Sequence, residues 1–337
     1  DTIDVDGLRL DVVNFYVQDA LLRDNPSLNL PRAPARPHQF QRHLYERSQP
    51  ETLEFVARLR KVLDECGAIS LGEVEDEEPI KTQRAYTDGS ERLHTAYSFT
   101  LLRPKQMTPQ IVKDAMTGWA GARGWPSWSL SNHDVLRFPT RLADNDRERT
   151  KQMFALLLAL RGAAFVYQGD ELGLPHAEVP FERLRDPEAI AFWPSGIGRD
   201  GARTPMPWAR DANMAGFTAA PDAWLPLDPR HRALAVDAQE TDKDSMLSFA
   251  RTMIALRKSS AALRVGDFVA LEAPEPVLAF ERVAGGKCML CVFNLGDQTW
   301  EWTSPAPAAA MQLSVAGATL DGAQATLPPY SALFAER

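Results

Sequence analysis

The sequence is poor in cysteine, in basic residues and in long apolar runs. Three cysteines in 337 residues leave no disulfide framework and point to a reducing, cytoplasmic setting. Lys and Arg number 37 against 45 Asp and Glu, a formal net charge of −8, so nucleic acid and anionic membranes are poor partners. No apolar run approaches the length of a membrane span. Cys288 and Cys291 have the spacing of half a zinc or redox motif, but no second Cys/His pair accompanies them. In that apolar run, positions three apart point to opposite faces of a strand, so core packing is the reading there. The acidic run Glu75-Asp76-Glu77-Glu78 reads as a solvated loop. The stretch Asp4-Val5-Asp6-Gly7 lacks the spaced ligands and closing glutamate of a calcium loop. What the chain does hold is 45% apolar residues, over a length that can bury one large domain and a smaller one.

Chemistry enters at residues 6–14, Asp-Gly-Leu-Arg-Leu-Asp-Val-Val-Asn. Leu8, Leu10 and Val12 alternate as on a strand, which places Arg9, Asp11 and Val13 on the other face. A guanidinium beside a carboxylate lowers its pKa and keeps it ionised at neutral pH. Asp11 is thus either a positioned nucleophile or half of a structural ion pair, and this stretch alone does not choose. Two further strands tip the choice. Residues 68–74 run into Gly72-Glu73, and residues 125–134 run into Asn132-His133-Asp134. A carboxylate at the C-terminal end of each of three strands is what a parallel α/β barrel enzyme shows.

In this order, Gly7-Leu8-Arg9-Leu10-Asp11, Gly72-Glu73 and Asn132-His133-Asp134 resemble glycoside hydrolase family 13, the α-amylase family. Tyr167-Gln168-Gly169-Asp170-Glu171-Leu172-Gly173 and the stretch from Arg199 to Trp208 resemble its bacterial α-glucosidase and oligo-1,6-glucosidase branch. The resemblance covers nearly the whole chain. It implies a retaining α-glucosidase with Asp11 as nucleophile, Glu73 as general acid/base and Asp134 holding sugar hydroxyls in an oxocarbenium-like transition state. It further implies that Arg9 orients Asp11, that His133 contacts the sugar, and that Arg199 or Arg203 binds the non-reducing glucose, with Arg199 preferred. Arg137 is expected to support this cluster, and Glu171 to stabilise the end of the last barrel strand. The implied substrates are short oligosaccharides or α-glucosides, cut or used for glucosyl transfer. No cofactor is implied for this chain; a divalent metal would belong to the preceding part of the family fold. Val12 resembles the α-1,6 pattern, whereas the Arg199 motif and Asn14-Phe15-Tyr16 look like enzymes of short α-1,4 substrates. Sucrose-directed hydrolases and isomerases also stay open. From another class, the rivals are a non-catalytic barrel used for interaction and an inactive fragment.

In the resembled family the nucleophile strand is the fourth of eight. The expected fold is therefore the C-terminal portion of a (β/α)8 barrel, strands 4–8, in residues 1–262, then an antiparallel β domain in residues 263–337. A closed barrel has no edges; a partial one leaves two. The chain is thus expected to be poorly stable alone and to take the missing N-terminal half of the barrel as its partner. Residues 48–65 read as a helix, with Ser48 and Glu51 in capping-box spacing. Residues 97–102 and 163–167 read as strands, and residues 144–161 and 245–257 as helices. Trp119, Trp125 and Trp128 read as core. The proline-rich loop 31–43 is a surface connection or an entrance lining. The stretch 173–242 exceeds an ordinary βα connection and is expected to cover the barrel mouth. Six short strands are expected after residue 263, at 267–271, 277–282, 287–294, 299–302, 311–315 and 331–334.

Overall fold

The computed structural model describes residues 5–31, 36–195 and 198–337. Asp4 and part of the 31–43 loop lie outside them. Two compact units form, residues 1–100 with 117–128, and residues 101–116 with 129–337.

In the first unit β1 (Gly7–Leu10), α1 (Pro50–Glu65), β2 (Ile69–Glu73), α2 (Pro79–Tyr86) and β3 (Thr95–Tyr97) follow in turn. The strands pair in parallel in the order β1-β2-β3, with Leu10 opposite Gly72 and Glu73 opposite Tyr97. Parallel neighbours need a crossover, and α1 and α2 supply it. Val13, Val56, Val74, Tyr86, Leu93 and Ala96 form the core beneath the sheet. β1 is its edge, and Leu8 stays 39% exposed. Trp119 and Trp128 are buried, as core residues should be.

Two sequence expectations change here and a third is qualified. The helix begins at Pro50, a residue suited to the first helical position, so Gln49 rather than Ser48 is the N-cap. Ser48 instead takes a left-handed backbone (φ 56°) and donates its hydroxyl to Asp76. The acidic run is the loop expected, with Glu77 and Glu78 exposed, but it is not wholly free in solvent: Asp76 is held by Ser48 and Glu77 accepts from the His43 N–H at 3.3 Å. β3 ends at Tyr97 instead of beginning there, because the Ser98 hydroxyl accepts from the Thr100 N–H at 3.3 Å and turns the chain.

Both α3 (Pro109–Gly118) and β4 (Ser127–Ser129) straddle the sequence boundary between units. In the second unit come α4 (Phe138–Ala143), α5 (Arg147–Ala159), β5 (Ala163–Phe165), α6 (Pro187–Ala191), α7 (Pro229–Ala233), α8 (Val236–Glu240), α9 (Met246–Ser259) and α10 (Ala261–Val265). Asp146 caps α5 by accepting from the Arg149 N–H at 2.9 Å, and Ser245 caps α9 through the Ser248 N–H at 3.1 Å. The long 173–242 stretch is folded into short helices over a core of Leu172, Leu174, Met206 and Leu247.

The C-terminal strands are β6 (Asp267–Leu271), β7 (Val277–Ala284), β8 (Lys287–Asn294), β9 (Trp300–Thr303), β10 (Ala310–Val315), β11 (Thr319–Asp321), β12 (Gln324–Leu327) and β13 (Ala332–Glu336). They build a five-stranded sheet, β10-β13-β8-β7-β6, and a three-stranded one, β11-β12-β9. Val277, Leu290, Val292 and Leu333 of one meet Trp302, Ala325 and Leu327 of the other. Cys291 is buried and Cys288 half-buried, both free thiols. Arg282, fully buried, donates to the Ala159 carbonyl at 2.5 Å and to the Gly266 carbonyl at 2.8 Å. No helix among the described residues is long and apolar enough to cross a membrane.

Candidate active site

Two clusters of functional side chains form, one in each unit. In the first, Gly72 lets β2 pass close to its neighbours: a Cβ there would lie 2.4 Å from Leu93 Cδ1 and 2.9 Å from Val13 Cγ1. The next residue, Glu73, ends the strand with its side chain 9% exposed. Arg9 donates from Nη2 to Glu73 Oε2 at 2.7 Å and from Nη1 to Asp11 Oδ1. One guanidinium thus bridges two carboxylates, where the sequence pointed to its pairing with Asp11 alone. Val12 adopts a left-handed backbone (φ 37°, ψ 47°), a strained choice for a β-branched residue. There its N–H reaches Glu73 Oε2 at 3.2 Å.

Burial separates the two carboxylates. Asp11 has 73% of its side chain exposed. Glu73 is desolvated, which pushes its pKa up, and neighbouring Asp11 adds to the rise; the Val12 N–H and Arg9 pull the other way. A buried carboxyl with a raised pKa beside an open, ion-paired carboxylate is an arrangement suited to acid and nucleophile roles.

In the second cluster, Asn132 Oδ1 accepts from the Asp134 N–H at 2.8 Å and the Val135 N–H at 3.0 Å, a turn that presents Asp134 beyond β4. Asp134 Oδ1 accepts from Arg203 Nη2 at 3.0 Å and lies 3.7 Å from Arg199 Nη1. Its other oxygen is 3.3 Å from His133 Nε2. Arg203 also donates to the His133 carbonyl at 2.9 Å. Arg137 is buried beneath this group, donating to the carbonyls of Gln168 at 2.8 Å and Ala202 at 2.9 Å. Glu171 accepts from the Gly169 N–H at 2.8 Å, beyond the end of β5. Asp170 is fully buried and accepts from the Tyr167 N–H at 3.2 Å; burial pushes its pKa to about 7, against the pull of Ser131 and Arg137.

The structure therefore gathers Arg9, Asp11 and Glu73 in one cluster, and His133, Asp134, Arg199 and Arg203 in the other. Sequence reasoning passed over Asp186 and Asp200. Asp186 accepts from Arg199 at N, Nε and Nη2, at 2.8, 3.2 and 3.0 Å. Asp200 accepts from the Arg185 and Asp186 N–H groups at 2.7 and 2.9 Å. The visible signal was Asp186-Pro187, a helix start. Among the described residues, no group of three or more His, Cys, Asp or Glu side chains is placed to hold a metal ion.

Residues 1–266 match the family model described as alpha amylase, catalytic domain. A probable alpha-glucosidase of Rhizobium meliloti (strain 1021) is 41% identical over 307 residues, covering 87% of this chain and 55% of that protein. The oligo-1,6-glucosidase of Parageobacillus thermoglucosidasius is 27% identical over 334 residues, covering 88% of this chain and 58% of that one. The crystal structure of the alpha-glucosyl transfer enzyme XgtA superposes with a TM-score of 0.91 at 41% identity, over 98% of this chain and 64% of that one. The chain thus spans little more than half the length of these curated relatives. Its fold class is the C-terminal portion of a (β/α)8 barrel followed by a small antiparallel β domain. The chain belongs to the α-amylase catalytic-domain family, glycoside hydrolase family 13.

Proposed function

We propose that the protein is a retaining α-glucosidase that hydrolyses, or transfers, the terminal α-linked glucose of short oligosaccharides. The observation that carries this reading is the single guanidinium of Arg9 joining an exposed Asp11 to a buried Glu73 whose pKa is raised. Asp11 attacks the anomeric carbon while Glu73 gives its proton to the leaving oxygen, forming a glucosyl ester on Asp11. Glu73, now ionised, then takes a proton from the water or sugar hydroxyl that attacks this ester, and Asp11 leaves as a carboxylate. Asp134, with His133, Arg203 and Arg199 around it, holds the hydroxyls of the glucose. The names of the relatives support a glucosidase or glucosyl-transfer activity.

Hydrolysis of 4-nitrophenyl α-glucoside tests the reading, with the chain alone and co-expressed with a family-typical N-terminal half. Activity that falls by about 10²–10⁴-fold in Glu73→Gln and disappears in Asp11→Ala supports it. An inactive, well-folded complemented assembly would overturn it in favour of a binding role. A second reading, an oligo-1,6-glucosidase, rests on Val12 and on the relative of that name. Faster cleavage of isomaltose than of maltose would select it.

A further inference from the structure

We infer that Asp186 is a positioning residue for sugar binding: it holds the Arg199 guanidinium off Asp134 and so leaves that carboxylate free to bind hydroxyls. The inference rests on the reading above in taking Asp134 and Arg199 as sugar-binding groups. Asp186 is 1% exposed at its side chain, and both of its oxygens are filled. Oδ2 accepts from the Arg199 N–H at 2.8 Å and from Nε at 3.2 Å. Oδ1 accepts from Arg199 Nη2 at 3.0 Å and from the Glu188 N–H, which begins α6, at 3.2 Å. The grip is reciprocal, because Asp200 in turn holds the backbone N–H groups of residues 185 and 186. Two buried carboxylates thus lock both strands of the loop pair, and the pKa of Asp186 is held low by Arg199.

Only Arg199 Nη1 faces Asp134, at 3.7 Å, beyond direct hydrogen bonding. Arg203 already bonds the same oxygen at 3.0 Å. Without Asp186, the nearest competing anion for Arg199 is Asp134 itself. The guanidinium then closes on it, and a carboxylate tied to two arginines has fewer lone pairs for a sugar. The plain alternative is that Asp186 merely caps α6. Asparagine and serine are also good N-caps, and this separates the two roles. Asn at this position keeps one acceptor but turns an NH2 group toward the guanidinium; Ser keeps the cap and removes the carboxylate.

The test uses the complete enzyme, with its N-terminal half, and compares Asp186→Asn, Asp186→Ser and Arg199→Ala alone and combined. Both Asp186 variants should raise KM for 4-nitrophenyl α-glucoside about tenfold, the scale of one hydrogen bond to a charged group, with kcat less affected and Tm little changed. In the Arg199→Ala background they should add nothing. Effects that add fully, or that follow a fall in Tm, would overturn the inference and leave Asp186 a helix cap. The Arg199 Nε–H resonance in 15N-arginine-labelled protein supplies a readout apart from activity. It should exchange slowly in the wild type and lose that protection in Asp186→Ser; persistence of protection would refute the grip. A wild type that cuts no α-glucoside but shows the protected Nε–H would refute the enzymatic reading alone.

Discussion

Replacing Asp170 by asparagine should remove a fall in stability that the wild-type protein suffers as pH rises. Asp170 lies fully buried beyond β5, and desolvation lifts its carboxyl from an ordinary 3.8 to about 7. Below pH 4 the group is protonated in both folded and unfolded chains. Between pH 4 and 7 the unfolded chain releases the proton while the folded one retains it, so each step upward favours unfolding. The contribution is therefore fully present below the unfolded pKa and lost as pH climbs through the folded one. At ~1.4 kcal/mol per pH unit the loss sums to about 4 kcal/mol. Arg137 and Ser131, which favour the ionised form, are already set against burial in that figure. Asparagine keeps an acceptor for the Tyr167 N–H and cannot ionise. Urea unfolding at pH values from 4.5 to 8 should show the variant close to wild type at the acid end. It should be more stable than wild type by up to about 4 kcal/mol at the alkaline end. A constant difference across the range would refute the argument. A difference of opposite slope would show that Asp170 is ionised and paired with Arg137.

Two more outcomes test the first cluster. Arg9→Met removes a cation from Glu73, so the Glu73 pKa rises further and the alkaline limb of the kcat/KM profile should move to higher pH as the rate falls; an unmoved limb would mean that Glu73 is not the acid. Gly72→Ala places a methyl within 2.4 Å of Leu93 and should cost about 1–3 kcal/mol, read by urea unfolding. An unchanged midpoint would show that Leu93 yields freely.

How much was legible beforehand depends on the range of the interaction concerned. Arg9 and Asp11 lie two residues apart and Asn132 sits within its own turn, so these contacts are local. The alternation expected through Val13 nevertheless stops at Leu10, because Val12 turns left-handed and is exposed while Val13 is buried in the core. Helix α1 shows in its apolar spacing, yet its cap is misplaced because Pro50 sets the first turn and shifts the start past Ser48. The hairpin of β11 and β12 was not anticipated, since Thr319–Asp321 is three residues long and mostly polar. Contacts across long stretches leave no local trace. Arg9 reaches Glu73 64 residues away, and nothing in either motif says that one guanidinium serves both carboxylates. Asp186 reads as a helix start from its own neighbours; its hold on Arg199, 13 residues on, appears only once the loop is folded.

The arginines behind α5 bear on how the second unit comes apart. Arg257 of α9 donates to the carbonyls of Leu160 at 3.1 Å and Gly162 at 2.6 Å, while Arg282 of β7 takes that of Ala159. Gln152, one face further up the same helix, donates to the Asn294 carbonyl at 2.6 Å and the Ser331 carbonyl at 2.9 Å. Peeling the β sandwich away would strip Arg282 from the buried Ala159 carbonyl and leave the Gln152 amide without either of its acceptors, while Arg257 would stay with Leu160 and Gly162. The sandwich is accordingly less a detachable appendage than the plug that seals the end of a helix, and helix and sandwich should unfold as one cooperative block.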